Sequence, residues 1–141
     1  MRKFEEVLEK AKGIPTCKVA VAAAEDEHVL EAVLAAKKQG IAEAVLVGDK
    51  EKILALAAQC GVAAEDLTIV HEANPAKAAL EAVRLVSSGE AQVVMKGLIP
   101  TADFLRAVLN KEVGLRQGKQ VLSHVAVMEI PGREKLLFMS D

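Results

Sequence analysis

Val93–Ser140 reads VVMKGLIPTADFLRAVLNKEVGLRQGKQVLSHVAVMEIPGREKLLFMS. Gln92 to Met95 is a strand of buried type that stops at Lys96-Gly97, and the loop holding Pro100 and Thr101 then starts a helix with apolar pairs Phe104-Leu105 and Val108-Leu109. A polar connection, Lys111 to Gln120, leads to a long apolar strand, Val121 to Ile130, which turns back through Pro131-Gly132 into Lys135–Ser140. Proline presets the first central position of that turn and glycine supplies the positive φ that a type II turn requires, so an antiparallel hairpin is expected. A lysine, a glycine and a hydroxyl at a strand-to-helix switch are the parts of an anion site. The helix start points backbone N–H groups outward, glycine lets a ligand come close, and the cation balances its charge. An ordinary βα loop can hold the same residue types without binding anything.

The same strand-then-helix rhythm fills the rest of the chain. Lys18–Ala23, Ala44–Gly48 and Leu67–His71 are short apolar runs with polar borders, as strands covered on both faces should be. Helices are expected over Arg2 to Lys12, Asp26 to Gln39, Asp49 to Gln59, and from Asn74-Pro75 to Ser87 or Ser88. Asn74 can cap, and Pro75 suits the first helical position, where its missing N–H needs no partner. Four strands alternating with helices predict a three-layer αβα architecture, α/β in class. Its sheet would be mostly parallel and doubly wound, with the hairpin on or beside it, in a single domain over residues 1–141.

Composition narrows the functions available. The chain has 141 residues, a net charge of −2 and 52% hydrophobic residues, with no Trp or Tyr. There is no basic footprint for nucleic acid and no aromatic platform for bases. MRKFEEVLEK carries three glutamates and no apolar core of signal-peptide length, and no stretch is long enough to span a bilayer, so a cytoplasmic protein is expected. Cys17 and Cys60 lack metal-type spacing and read as free thiols. Dinucleotide, Walker and zinc-protease fingerprints are absent.

Other strand ends offer weaker candidates. Glu25 and Asp26 suit the cap of the second helix, and His71 suits a hydrogen-bonded loop residue. Ser123 and His124 are neighbours on the predicted strand, where alternation sends them to opposite faces and argues against a nucleophile–base pair. His124 then lies on the face of Leu122, Ala126, Met128 and Ile130, as a core histidine would.

MKGLIPTADFLRAVLNKEVGLR, VLSHVAVMEIPGREKLLFMSD and KVAVAAAEDEHVLEAVLAAKKQGIAEAVLVGD resemble the phosphate acetyl/butyryltransferase family, and the LSHVAVMEIPG run looks closest to its butyryl branch. The likeness covers essentially the whole chain, yet family members are about twice as long, so the chain looks like the first half of such an enzyme. The resemblance implies an isocitrate/isopropylmalate dehydrogenase-like fold, and transfer of an acyl group between coenzyme A and inorganic phosphate, butyryl-CoA in particular. Coenzyme A would be substrate and product, with no permanently bound cofactor and no metal. It further implies a homo-oligomer, with no nucleic-acid or membrane partner. Lys96, Gly97 and Thr101 match the family's cleft-facing loop position by position and are expected to bind phosphate or substrate. Ser123 and His124, in the run similar to the butyryl branch, and Asp141, which aligns with an aspartate opening a family motif, are expected as further substrate contacts. Thr101 has the alternative role of an N-cap. The family's catalytic residues lie mainly in its second half, so the 141 residues alone are expected to be inactive or nearly so. A non-catalytic, self-associating α/β domain is the competing reading, with the apolar hairpin as its contact surface.

Overall fold

The computed structural model describes residues 2–140. In chain order the elements are helix α1 (Phe4–Lys12), strand β1 (Cys17–Ala22), α2 (Glu27–Lys38), β2 (Ala42–Gly48), α3 (Lys50–Gln59), β3 (Thr68–His71), α4 (Pro75–Ser87), β4 (Val93–Lys96), α5 (Thr101–Val108), β5 (Val125–Met128) and β6 (Leu137–Ser140). They fall into two compact units, Thr16–Leu115 and residues 2–15 with 116–140.

In the larger unit all strand pairs are parallel and the order is β3-β2-β1-β4. Strand alternation sorts its core into two layers. Val21 and Leu46 pack with Leu30 of α2 and Ile53 of α3. Ala20, Ala22, Val45 and Val47 face the other way, against Ala78, Ala79, Ala82 and Val83 of α4 and Ala107 and Val108 of α5. Alanine on both sides of that second interface lets helix and sheet approach closely, which is where the alanine-rich composition goes. Helices on both faces of a parallel sheet give the predicted αβα layering. The chain winds outward from β1 to β3 and then returns to the far side of β1 for β4, so the winding reverses between β1 and β4.

Local chemistry fixes the helix starts. The side chains of Asp26, Asp49 and Asn74 accept from the N–H groups of Val29, of Glu51 and Lys52, and of Lys77 respectively, each cap being worth about 1 kcal/mol. Pro75 takes the first helical position, as expected.

The smaller unit pairs β5 with β6 in an antiparallel two-stranded sheet. Gly132 has φ of 87°, and Arg133 N–H donates to the Ile130 carbonyl at 3.1 Å, the turn predicted from Pro131-Gly132. The strand expected over Val121 to Ile130 is shorter, however. The ladder begins at Val125, which pairs with Ser140, and does not extend back over residues 121–124. Without ladder bonds that stretch stays irregular, with Val121 89% exposed. Beside it, α1 is amphipathic but buries no residue; Phe4 N–H donates to Glu129 Oε2 at 2.8 Å.

Candidate functional site

The reversal of winding puts the carboxyl ends of β1 and β4 side by side, the place where open α/β sheets hold ligands. Beyond the last register pair, Ala22 with Lys96, Gly97 N–H donates to the Ala22 carbonyl at 2.8 Å and Leu98 N–H to the Ala23 carbonyl at 2.7 Å. Gly97 is buried, and a Cβ there would be driven into the Ala23 carbonyl oxygen, with the Ala22 oxygen at 2.6 Å and the Ala23 carbonyl carbon at 2.8 Å. Glycine is therefore required by close approach of backbone to backbone. Ile99 anchors the loop with 5% exposure. Pro100 occupies the cap position of α5, and its carbonyl accepts from Asp103 and Phe104 N–H, both at 3.1 Å. Unlike α2, α3 and α4, α5 carries no side-chain cap. Lys96 is exposed, its Nζ 3.4 Å from the Gly97 carbonyl.

The other strand ends are occupied by the protein's own side chains. Glu25 Oε1 accepts from Asp49 N–H at 2.7 Å, and His71 Nδ1 accepts from Lys50 N–H at 3.1 Å. With Asp49 serving the next two amides, a carboxylate already balances the α3 dipole. Glu72 Oε1 accepts from Asn74 N–H at 3.1 Å. Of the two acids expected to serve α2, only Asp26 does so; Glu25 reaches across to α3 because a side chain on Gly48 is absent from its path. His71 is the hydrogen-bonded loop residue it was expected to be.

A cleft of about 480 Å³ opens elsewhere, beside α4, lined by Val70, Leu80, Arg84 and Val113 among others. Its arginine is not free for an anion: Arg84 Nε and Nη2 donate to Glu81 at 3.0 and 2.6 Å. That hydrogen bond holds the Glu81 carboxyl below its ordinary value, against a smaller upward push from burial. We therefore place the anion-binding candidate at the switch point and not in this cleft.

The structure thus brings Lys96, Gly97 and Thr101 together in one strand–loop–helix. Thr101 is an exposed first-turn residue, and the N-cap role is excluded because Pro100 holds that position. Ser123 and His124 belong to the smaller unit, ahead of β5 and exposed, so the assignment of the two to opposite strand faces, and of His124 to an apolar core face, does not hold. The His124 carbonyl accepts from the Ser140 hydroxyl at 3.0 Å. Asp141 lies outside the described residues. One residue gave no warning in the sequence: Ala23, with φ of 59°, is the one non-glycine with positive φ among the described residues. Val19 to Ala24 reads only as an apolar run.

The larger unit is an open, doubly wound α/β body with a lysine, a close-approach glycine and a helix without a side-chain cap at its switch point. The chain belongs to the phosphate acetyl/butaryl transferase family, whose model matches residues 3–80 and 66–141. It is 53% identical over 140 residues to the phosphate butyryltransferase of Clostridium beijerinckii, covering 99% of this chain and 46% of that protein. It is 55% identical over 141 residues to the phosphate butyryltransferase of Clostridium acetobutylicum, covering 100% and 46%. The crystal structure of a branched-chain phosphotransacylase from Enterococcus faecalis superposes with a TM-score of 0.71 at 29% identity, over 89% of this chain and 43% of that one. The chain spans about half the length of the curated relatives it matches.

Proposed function

We propose that this chain supplies the phosphate-binding side of a phosphate butyryltransferase, which exchanges butyryl-CoA and inorganic phosphate with butyryl phosphate and CoA. A phosphate oxygen attacks the thioester carbonyl, the C–S bond breaks, and CoA leaves as thiolate. Such a reaction needs the phosphate held by donors and a cation, and positioned against the carbonyl. The observation that carries the reading is Lys96-Gly97 leading into α5, the one α-helix of the larger unit without a side-chain cap, while Glu25, His71, Asp49 and Asn74 occupy the starts of α3 and α4. Thr101 adds a hydroxyl at the same helix start. Ser123, His124 and Asp141 are proposed as further substrate contacts on the strength of the family match. Turnover is proposed to draw on groups beyond these 141 residues, because the relatives are about twice as long.

Lys96→Ala is expected to weaken phosphate binding by about 1–3 kcal/mol, the value of a charge-assisted hydrogen bond. Titration calorimetry with inorganic phosphate checks this, and unchanged affinity removes Lys96 from the site. A thiol reagent following CoA release from butyryl-CoA should read no turnover from the 141 residues alone.

The proposed setting is the cytoplasm, in keeping with the free thiols of Cys17 and Cys60, both half-buried. No helix among the described residues is long and apolar enough to cross a membrane. Self-association is proposed through the smaller unit. The pair Val127 and Phe138, with Val125 next to it, shares one sheet face, and these three are 41%, 61% and 57% exposed. A two-stranded sheet with an uncovered apolar face is marginal in water. Light scattering over a concentration series should show association that Val127→Lys shifts toward monomer; a parent chain monomeric at high concentration defeats this.

A further inference from the structure

The end of β1 departs from regular strand geometry in a way that aims a carbonyl at the Lys96–Thr101 loop. In a parallel ladder, successive residues turn their N–H and C=O groups to opposite neighbours. Ala22 serves β4, through Gly97, so Ala23 is due to serve β2. The register of Ala22 with Val47 makes its regular partners the Val47 carbonyl and the Asp49 N–H. Neither bond forms with Ala23. Ala24 N–H takes the Val47 carbonyl at 3.1 Å, and the Ala23 carbonyl turns the other way to accept from Leu98 N–H at 2.7 Å. Two residues stand in the place of one, which makes this a bulge, and the positive φ of Ala23 is what redirects its carbonyl. Asp49 N–H, deprived of that carbonyl, donates to Glu25 Oε1 at 2.7 Å instead.

We infer that Glu25 is a positioning residue for the Lys96–Thr101 loop, acting through Ala23. By occupying Asp49 N–H it removes the partner that would draw the Ala23 carbonyl back to β2, and so leaves that carbonyl for Leu98. A left-handed alanine is disfavoured on its own; it persists here because its regular partners are taken and its methyl is fully buried in the α4 layer. The consequence is a loop set in its binding shape before any ligand arrives, which spares the ligand the entropy of ordering it. This inference rests on the phosphate reading for its functional meaning, whereas the coupling of Glu25 to Leu98 can be measured without any ligand.

The test compares Glu25→Ala, which removes the acceptor, with Glu25→Gln, whose amide oxygen can replace it. Hydrogen exchange should show the Leu98 amide opening about tenfold faster in Glu25→Ala and close to the parent rate in Glu25→Gln. Inorganic phosphate affinity, read by calorimetry, should fall about fivefold in the first and stay near the parent in the second. A purely structural role for Glu25 would lower the melting temperature without singling out Leu98 or phosphate. Parent-like Leu98 exchange in Glu25→Ala overturns the inference, as does equal loosening in both variants, which would make the charge and not the acceptor responsible. Ala23→Gly, in which glycine accepts extended as well as left-handed backbone, should also speed Leu98 exchange and serves if Glu25→Ala does not fold. If Lys96→Ala leaves phosphate affinity untouched, the phosphate reading fails while the Leu98 rates still decide this one.

Discussion

Gly97→Ala is expected to destabilise the protein by about 3 kcal/mol, toward the upper end of what overpacking costs. The added methyl meets main-chain atoms on every near side, the Ala22 and Ala23 carbonyls, which are themselves held by 2.8 and 2.7 Å hydrogen bonds. A flexible side chain could swing away; backbone at the end of a central strand cannot move without pulling β1. Either the β1–β4 junction separates or the Leu98 bond breaks, and both displace Lys96 and the start of α5. Urea denaturation should show the lower midpoint, and calorimetry should show phosphate binding lost under conditions where the variant remains folded. A variant with parent stability and parent affinity would mean that the junction is far softer than its contacts indicate. Gly48→Ala should cost less stability, since its new methyl would meet chiefly the end of the Glu25 side chain, which can rotate away. That rotation breaks the Glu25–Asp49 bond, however, and should loosen Leu98 as Glu25→Ala does.

Leu46→Ala should cost about 2–4 kcal/mol, the range for emptying a well-packed leucine site. Leu46 is 1% exposed on a central strand, in register with Val21 on one side and Ile69 on the other, and Leu30 and Ile53 bring α2 and α3 down onto the same layer. Those neighbours are tied to strands and capped helices, so they can close only part of the cavity. The α4–α5 layer lies on the opposite face and should be spared, so phosphate affinity below the melting transition is expected to stay at the parent value. Thermal or urea unfolding measures the loss, and a cost under about 1 kcal/mol would show that the layer collapses freely.

The two substitutions act on parts of the molecule that differ in how far the amino-acid sequence discloses them. Leu46 belongs to AVLVG, a run whose apolar character and borders mark a buried strand at once. The helix starts were equally plain, because Asp26, Asp49 and Asn74-Pro75 act within a few residues of themselves. So was the Pro131-Gly132 turn, whose geometry two adjacent residues impose. The resemblance carried by LSHVAVMEIPG and MKGLIPTADFL likewise lay in the sequence and agrees with the family match. Lys96, Gly97 and Thr101 were found together because they are neighbours in the chain.

Long-range relations were a different matter. The apolar run Val121 to Ile130 suggested a long strand, but strand length depends on a partner, and pairing with Leu137–Ser140 supports only Val125–Met128. Glu25 was placed at the nearest helix, since nothing local shows that an amide 24 residues away lies within 2.7 Å. Ala23 has no signature at all. Alanine prefers negative φ, and only the competition among Val47, Asp49, Glu25 and Leu98 for a few backbone groups turns it the other way. Most elements, the caps of α2, α3 and α4 and the family could be read from the residues alone, because periodicity and capping are properties of short stretches. The tertiary structure alone decided the switch between β1 and β4, the bulge at Ala23 and the need for glycine at position 97, because each depends on hydrogen-bond partners and steric limits supplied by distant parts of the chain.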